Sequence, residues 1–499
     1  MKWLEEISRK IMHYIIVIAI TTIMVLNCVF TARVAYDESE KVSYFVQPQS
    51  IIFAVVMGII ICSMFCGLKK FSEKTIFVAF TIMYIAIMIY MVLNIKVCIR
   101  ADAKYVLDAA KQISNGNYAS LKKGGYLYIY PNQLGLVSYD RILLKICKNE
   151  KIMYIINLFE IILINWFGYR ISNLIFKCNV SVNKIVIILE FLFLPQLFFI
   201  MFAYGLIPGF CAMIAAFYFV LKFIEHRKIS MAIISAVLCV IAAVLKMNFL
   251  IGAIAVFIIL FLDFMKNKEY RSLALAMVII MGTLMPGKVI GAIYEFETGV
   301  EKNNGIPSTA WIAMGTDLEN TEKAPGWYDI SNYATYTLDA NYDSEKAGEI
   351  SQKKIKDNLK KSIENPGRTI KFYGKKIVSM WCEPMFQSVW SGPCIDTKDY
   401  VQSTILNSLY SGKNVEKVCS IFIKALVLNI LIFSCIFRWR SFQYREKSDL
   451  LYLFFLGGII FHIFWEGKSQ YTYPYVFVLI PGCAYEFEKI LMRFKKCYK

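Results

Sequence analysis

Ile51–Lys70 reads IIFAVVMGIIICSMFCGLKK: eighteen residues without a charge, then two lysines. A helix in a soluble protein shows a polar face every turn. This stretch shows none, and a crossing of the bilayer hydrocarbon takes roughly 20 apolar residues. Similar runs lie at 11–33, 75–97, 152–174, 185–203, 206–224, 230–246, 249–265, 272–293, 416–437, 450–465 and 471–488. With 51–68 they make about twelve crossings. The expected fold is therefore an all-α integral membrane protein of about twelve transmembrane helices.

Composition agrees. Of 499 residues, 58% are hydrophobic and only 18% charged, against about a quarter charged in soluble chains. A soluble enzyme, a disordered chain and a nucleic-acid binder are excluded. The net charge of +18 belongs to loops, because Lys and Arg gather on the cytoplasmic side of membrane proteins. The 14 cysteines form no CxxC pair and the chain has three histidines, so neither a zinc nor a thioredoxin site is expected. Cys382 and Cys394 share a polar stretch, which leaves a disulfide between them open. The first span lacks a small-residue cleavage site and reads as an anchor, not a cleaved signal.

Placing Lys2, Arg9 and Lys10 in the cytoplasm fixes the orientation. Alternation then puts Lys69/Lys70/Lys74, Lys177/Lys184, Lys222/Arg227/Lys228, Lys266/Lys268/Arg271, Arg438/Arg440/Arg445/Lys447 and the tail Lys489/Arg493/Lys495/Lys496 on the same side. Both termini are expected inside, in a plasma membrane. The acidic loop Asp37, Glu38, Glu40 falls outside. Residues 131–147 are apolar enough to suggest a span, but a crossing there would invert every later basic loop. They read as an outer interfacial helix, with Asp140 and Arg141 in its middle. The chain divides into a three-span region 1–97, an extracytoplasmic segment 98–151 and a central bundle 152–293. An extracytoplasmic cap 294–415 and a three-span region 416–499 follow. Within the cap, 345–381 carries a helical apolar spacing, and Asn303-Asn304-Gly305, Ala324-Pro325-Gly326 and Asn365-Pro366-Gly367 mark turns.

Ionisable groups at membrane entrances are the functional candidates. Asp102, after the third span, is placed to act as a general base; a first-turn acid favouring the helix dipole is the simpler account. Asp108 has the same ambiguity. Lys246, between two apolar runs beside Asn248, suits a phosphate contact or merely snorkels to water. Trp465-Glu466-Gly467-Lys468-Ser469-Gln470-Tyr471 packs an acid, a base and aromatics into one outer loop. Tyr130-Pro131-Asn132-Gln133 follows further tyrosines and suits a sugar-lined cleft; an aromatic belt explains both stretches equally. Nine basic residues in 98–151 point to an anionic partner such as a lipid phosphate.

In order, these pieces are Asp102 and its helix to Gly116, Tyr130-Pro131-Asn132-Gln133, Lys246, Trp311/Met314/Gly315, Lys375 to Trp381, and Trp465-Glu466-x-Lys468-Ser469-x-Tyr471. The set resembles the multi-spanning GT-C glycosyltransferases, in the bacterial branch similar to protein O-mannosyltransferases and aminoarabinose transferases. The likeness runs from about residue 75 to the end. It implies transfer of a sugar from a polyprenyl-phosphate carrier to a glycan, glycolipid or protein acceptor on the outer face, with inversion, in cell-envelope assembly. By resemblance Asp102 is the catalytic carboxylate and Lys246 and Lys468 contact the donor phosphate. Tyr130, Asn132, Gln133, Trp465, Glu466 and Tyr471 line the site, and Asp37 and Glu38 are alternative acids. Relatives often carry Arg at the position of Gln470 and an acid at that of Leu206. The departures imply one phosphate contact fewer and weaken the case for a bound divalent metal, which stays open without support; no other cofactor is expected. The competing functions are a lipid-linked glycan flippase, which would use the mid-span Glu160 and Glu190, and a non-catalytic envelope-assembly partner.

Overall fold

The computed structural model describes residues 2–320, 323–395, 397–441 and 444–497, with the side chains of residues 445 and 494–497 outside that set. Arg445, Lys495 and Lys496, assigned above to basic clusters, fall among those side chains.

Eight helices are long and apolar enough to cross a membrane: Lys2–Val29, Ser50–Leu68, Glu73–Asn94, Lys151–Ile175, Leu206–His226, Met247–Asn267, Asn414–Arg440 and Glu446–Phe464. Two bent pairs raise the number to ten. Proline causes both bends, since it removes an N–H and its ring crowds the carbonyl four residues back. Val180–Leu192 turns by 45° into a segment that starts at Pro195, and Tyr270–Leu284 turns by 42° into one that starts at Pro286. The runs expected at 185–203 and 272–293 are thus broken. Of the remaining two, 230–246 becomes the 17-residue helix Ile229–Leu245, shorter than a full crossing. The 471–488 run is split at 478–479 into Tyr473–Phe477 and Ile480–Cys497.

Burial explains which helices face what. Ser50–Leu68 has a mean hydropathy of 2.7, yet only 22% of it is buried. Ile51, Ile52, Val55 and Ile59 are exposed. An apolar face that large, left uncovered, belongs against lipid. By contrast every residue from Val182 to Phe191 is buried, so that half-helix is the hub of the bundle. Asn179 starts it, accepting from the Ser181 and Val182 N–H groups, as an N-cap should.

The basic loops gather at one end. Arg9 and Arg438 both donate to Asp449, at 2.8 and 2.9 Å. Lys184 donates to the Lys69 carbonyl at 2.8 Å, and Lys447 to that of Leu174 at 3.1 Å. The opposite end carries a polar layer made from three segments. The first is a β-hairpin, Phe30–Val34 paired with Val42–Val46, which departs from the purely helical expectation. The second holds Ala101–Ser114 and Leu134–Ile146. The third is the cap, with Ser344–Glu364 and Pro366–Trp381 meeting at the Asn365-Pro366-Gly367 turn. Backbone bonds tie the layer together: Ala32 N–H to the Cys382 carbonyl at 3.0 Å and Lys96 N–H to that of Tyr400 at 2.9 Å.

Leu134–Ile146 is not among the spanning helices; it packs on Ala101–Ser114. Arg141 pairs with Glu297, but Asp140 points inward and is buried, which corrects the view of both as outer-face charges. Cys382 and Cys394 are buried free thiols. Cys394 instead accepts from Arg100 at 3.0 Å.

Orientation has a simple check. Cys178, exposed, lies at the basic end, and Cys147 at the other. In single-cysteine variants on intact cells, a membrane-impermeant maleimide is expected to modify Cys147 and spare Cys178. The reverse pattern would invert the topology.

Candidate functional site

The polar end gathers the charges that the sequence scatters. Asp102 lies in the first turn of Ala101–Ser114, and its carboxylate faces the Tyr126 hydroxyl, with which it shares a hydrogen bond. Ala101 before it takes φ 51°, a left-handed conformation that costs a residue with a Cβ free energy. Asp108, nearly two turns on, is spent in a surface pair with Lys104 at 2.9 Å. The Asp102 carboxylate is exposed and its charge is felt at Tyr126, Tyr204, Glu466, Lys246 and Lys468.

Lys246 follows the Ile229–Leu245 helix in extended geometry. Its ammonium lies 4.7 Å from the Tyr204 ring centre and 5.1 Å from that of Tyr471, a two-ring cation cage. Gln133 donates to the Tyr204 hydroxyl at 2.7 Å, which fixes one ring. His462 stacks on the other, Tyr471, at 5.2 Å.

Lys468 is paired with Glu40 of the hairpin turn, at 3.0 and 3.2 Å. Burial works against its ammonium, but Glu40, Glu466 and Asp102 together hold its pKa above the ordinary lysine value. Glu466 is 7% exposed. Burial pushes its carboxyl up to about 7, with Lys468 and Lys246 pulling down and Asp102 and Glu40 pushing up.

An aromatic wall completes the cluster. Trp465 stacks on Trp311 at 6.3 Å, and Trp311 meets Tyr130 at 6.4 Å. The loop that carries Trp465 and Glu466 is clamped from the cap. Lys376, 1% exposed, donates to the carbonyls of Gly315 at 2.6 Å, Ile463 at 3.0 Å and Trp465 at 2.7 Å. Gly467 N–H bonds the Gly326 carbonyl at 2.8 Å. Gly315 has to be glycine, because a Cβ there would sit 2.5 Å from the Phe464 carbonyl oxygen. Below the loop, Ser469 donates to Glu383 at 2.8 Å.

Of the residues singled out in the sequence, Asp102, Lys246, Lys468, Glu466, Tyr471, Trp465, Tyr130 and Gln133 therefore share one neighbourhood. Asn132 is exposed and, among the described residues, makes none of these contacts. Asp37 and Glu38 are exposed too; Asp37 accepts from the Ser39 N–H at 2.9 Å, closing a turn. The acid that this loop delivers is Glu40. Tyr204, Lys376 and Trp390, whose ring centre lies 5.6 Å from the Lys468 ammonium, also were not foreseen as site residues. Among the described residues no three His, Cys, Asp or Glu side chains gather so as to hold a metal ion.

Fold and surface together define a multi-pass α-helical membrane protein with a cluster of charged and aromatic side chains at one end. Comparison with protein-family models, with curated proteins and with solved structures gives no match.

Proposed function

We propose that the protein is a glycosyltransferase of the GT-C type, moving a sugar from a polyprenyl-phosphate donor to an acceptor hydroxyl on the extracytoplasmic face of the plasma membrane. The observation that carries this reading is the convergence of Asp102, Lys246, Lys468 and Glu466 beneath an aromatic wall at the end opposite the basic loops. On this reading the two bent pairs, Ile229–Leu245 and the C-terminal helices complete twelve crossings, with both termini cytoplasmic.

Asp102 takes the proton of the acceptor hydroxyl as its oxygen bonds the anomeric carbon. The bond from that carbon to the phosphate oxygen breaks, and the electron pair leaves with the lipid phosphate. Lys246 and Lys468 stabilise the charge that develops there. Attack from the face opposite the leaving group inverts the anomeric carbon, as in inverting glycosidases. Tyr130, Trp311 and Trp465 offer flat faces to the sugar ring. An outward site needs a lipid-borne donor, since nucleotide sugars are cytoplasmic.

The test is turnover of short-chain polyprenyl-phosphate hexoses by the purified protein. Absence of turnover across a panel of sugars would remove the reading. Lys246→Met is expected to lower kcat/KM by about tenfold to a hundredfold.

Glu466 predicts a pH dependence. Its carboxyl titrates near 7, so below that pH the cluster holds one negative charge fewer. Donor KM is expected to be lowest below pH 7 and to rise above it. Glu466→Gln should flatten that rise; an unchanged profile in the variant would clear Glu466 of the role.

A further inference from the structure

The cap contains a cavity of about 210 Å³, between the Ser308–Gly315 helix, the 331–339 turn and the Ser344–Glu364 helix. Its floor is apolar, from Ala310, Ala313 and Met314. Its walls are polar on every other side. Asn332 is the telling residue: it is 1% exposed, its Oδ1 accepts from the Tyr333 N–H at 2.7 Å, and its Nδ2 has no partner among the described residues. A buried amide donor left unpaired costs about 1–3 kcal/mol, so a ligand atom is the natural acceptor. Thr335, three residues further along the same helical segment, opens a π-turn, a geometry frequent at functional sites, and is held by Lys354 at 2.7 Å.

The lining selects the ligand's chemistry. Three carboxylates, Asp317, Glu319 and Asp357, stand against Lys354 and Lys361, and Lys361 is already paired with Glu319. An anion is therefore not the fitted occupant. Donor and acceptor groups alternate around an apolar strip, and hydroxyls, which both give and accept, satisfy both. The volume falls below the roughly 300 Å³ at which drug-sized sites begin, so it suits one sugar ring.

The position ties this cavity to the charged and aromatic cluster. The two-turn helix Ser308–Gly315 gives Ala310, Ala313 and Met314 to the cavity and Trp311 to the stack on Trp465. We propose that the cap cavity is a binding site for a neutral saccharide unit, the glycan part of the acceptor. The word acceptor rests on the transferase reading; the binding does not.

The experiment is saturation-transfer NMR on the full chain in nanodiscs, with the methyl glycosides of glucose, galactose, mannose, rhamnose and N-acetylglucosamine. At least one glycoside is expected to saturate, equally in wild type and Asp102→Asn. Asn332→Leu and Asp357→Ala should each weaken its binding about fivefold or more, as the loss of one hydrogen bond does. Asp357 is exposed, so its variant keeps the fold even where Asn332→Leu disturbs it. No saturation by any glycoside would overturn the proposal. So would unchanged binding in Asp357→Ala and in folded Asn332→Leu, or binding lost in Asp102→Asn alone. Binding without any turnover of lipid-linked sugars would instead retain the cavity and remove the transferase.

Discussion

Asp102→Asn is expected to reduce kcat by about 10²–10⁴-fold with donor KM little changed, the range that a positioned base contributes. The substitution keeps shape and removes only the ability to take a proton. The side chain is exposed, and the asparagine amide oxygen can still accept from the Tyr126 hydroxyl that Asp102 faces, so the fold is expected to hold. A soluble-protein account of Asp102, in which it only complements the helix dipole, predicts at most about 1 kcal/mol of stability and no kinetic effect. Single-turnover transfer beside a thermal scan separates the two. A rate within about tenfold of wild type would exclude Asp102 as the base and direct attention to Glu40, which lies across the cluster.

Lys376→Met is expected to be the most damaging substitution for the outer layer. Three carbonyls, the buried one of Gly315 and the half-buried ones of Ile463 and Trp465, share that one ammonium. Methionine fills the volume and leaves all three without a donor, at a cost of about 3–5 kcal/mol. The Trp465–Glu466 loop loses its tether, so the Trp311–Trp465 stack should open as well. A fall of several degrees in Tm in detergent, with a red shift of tryptophan emission, is the expected result. A Tm within about one degree of wild type would mean the loop is held by its other contacts.

Much of this was legible in the sequence because it was local. The Trp465–Tyr471 loop carries its acid, its base and its rings within seven residues. Asp102 and Lys246 stand out because a lone charge at the end of an apolar run is rare. The cap helices show their periodicity directly. What escaped was non-local. Glu40 was one of three acids in a loop, and nothing within that loop marks it as the one that reaches Lys468, 428 positions away. Lys376 reads as one lysine among many on an amphipathic helix, since its partners are carbonyls that no sequence displays. The hairpin was missed because each strand is five residues long, too short for alternation to stand out. The bends at Pro195 and Pro286 and the break at 478–479 were not visible either, because they lie inside runs that hydropathy alone joins.

The Glu40–Lys468 pair sets the charge balance of this cluster. With Glu466 protonated, Asp102 and Glu40 offset Lys246 and Lys468, so the resting surface is formally neutral. A stray inorganic anion gains little by entering, because it must first evict a tethered carboxylate that is always present at high local concentration. A ligand that also stacks on the rings and anchors in the lipid has the additional free energy to make that exchange. The hairpin thus acts as a built-in competitor, and it sets a threshold that favours a large amphiphile over a small ion.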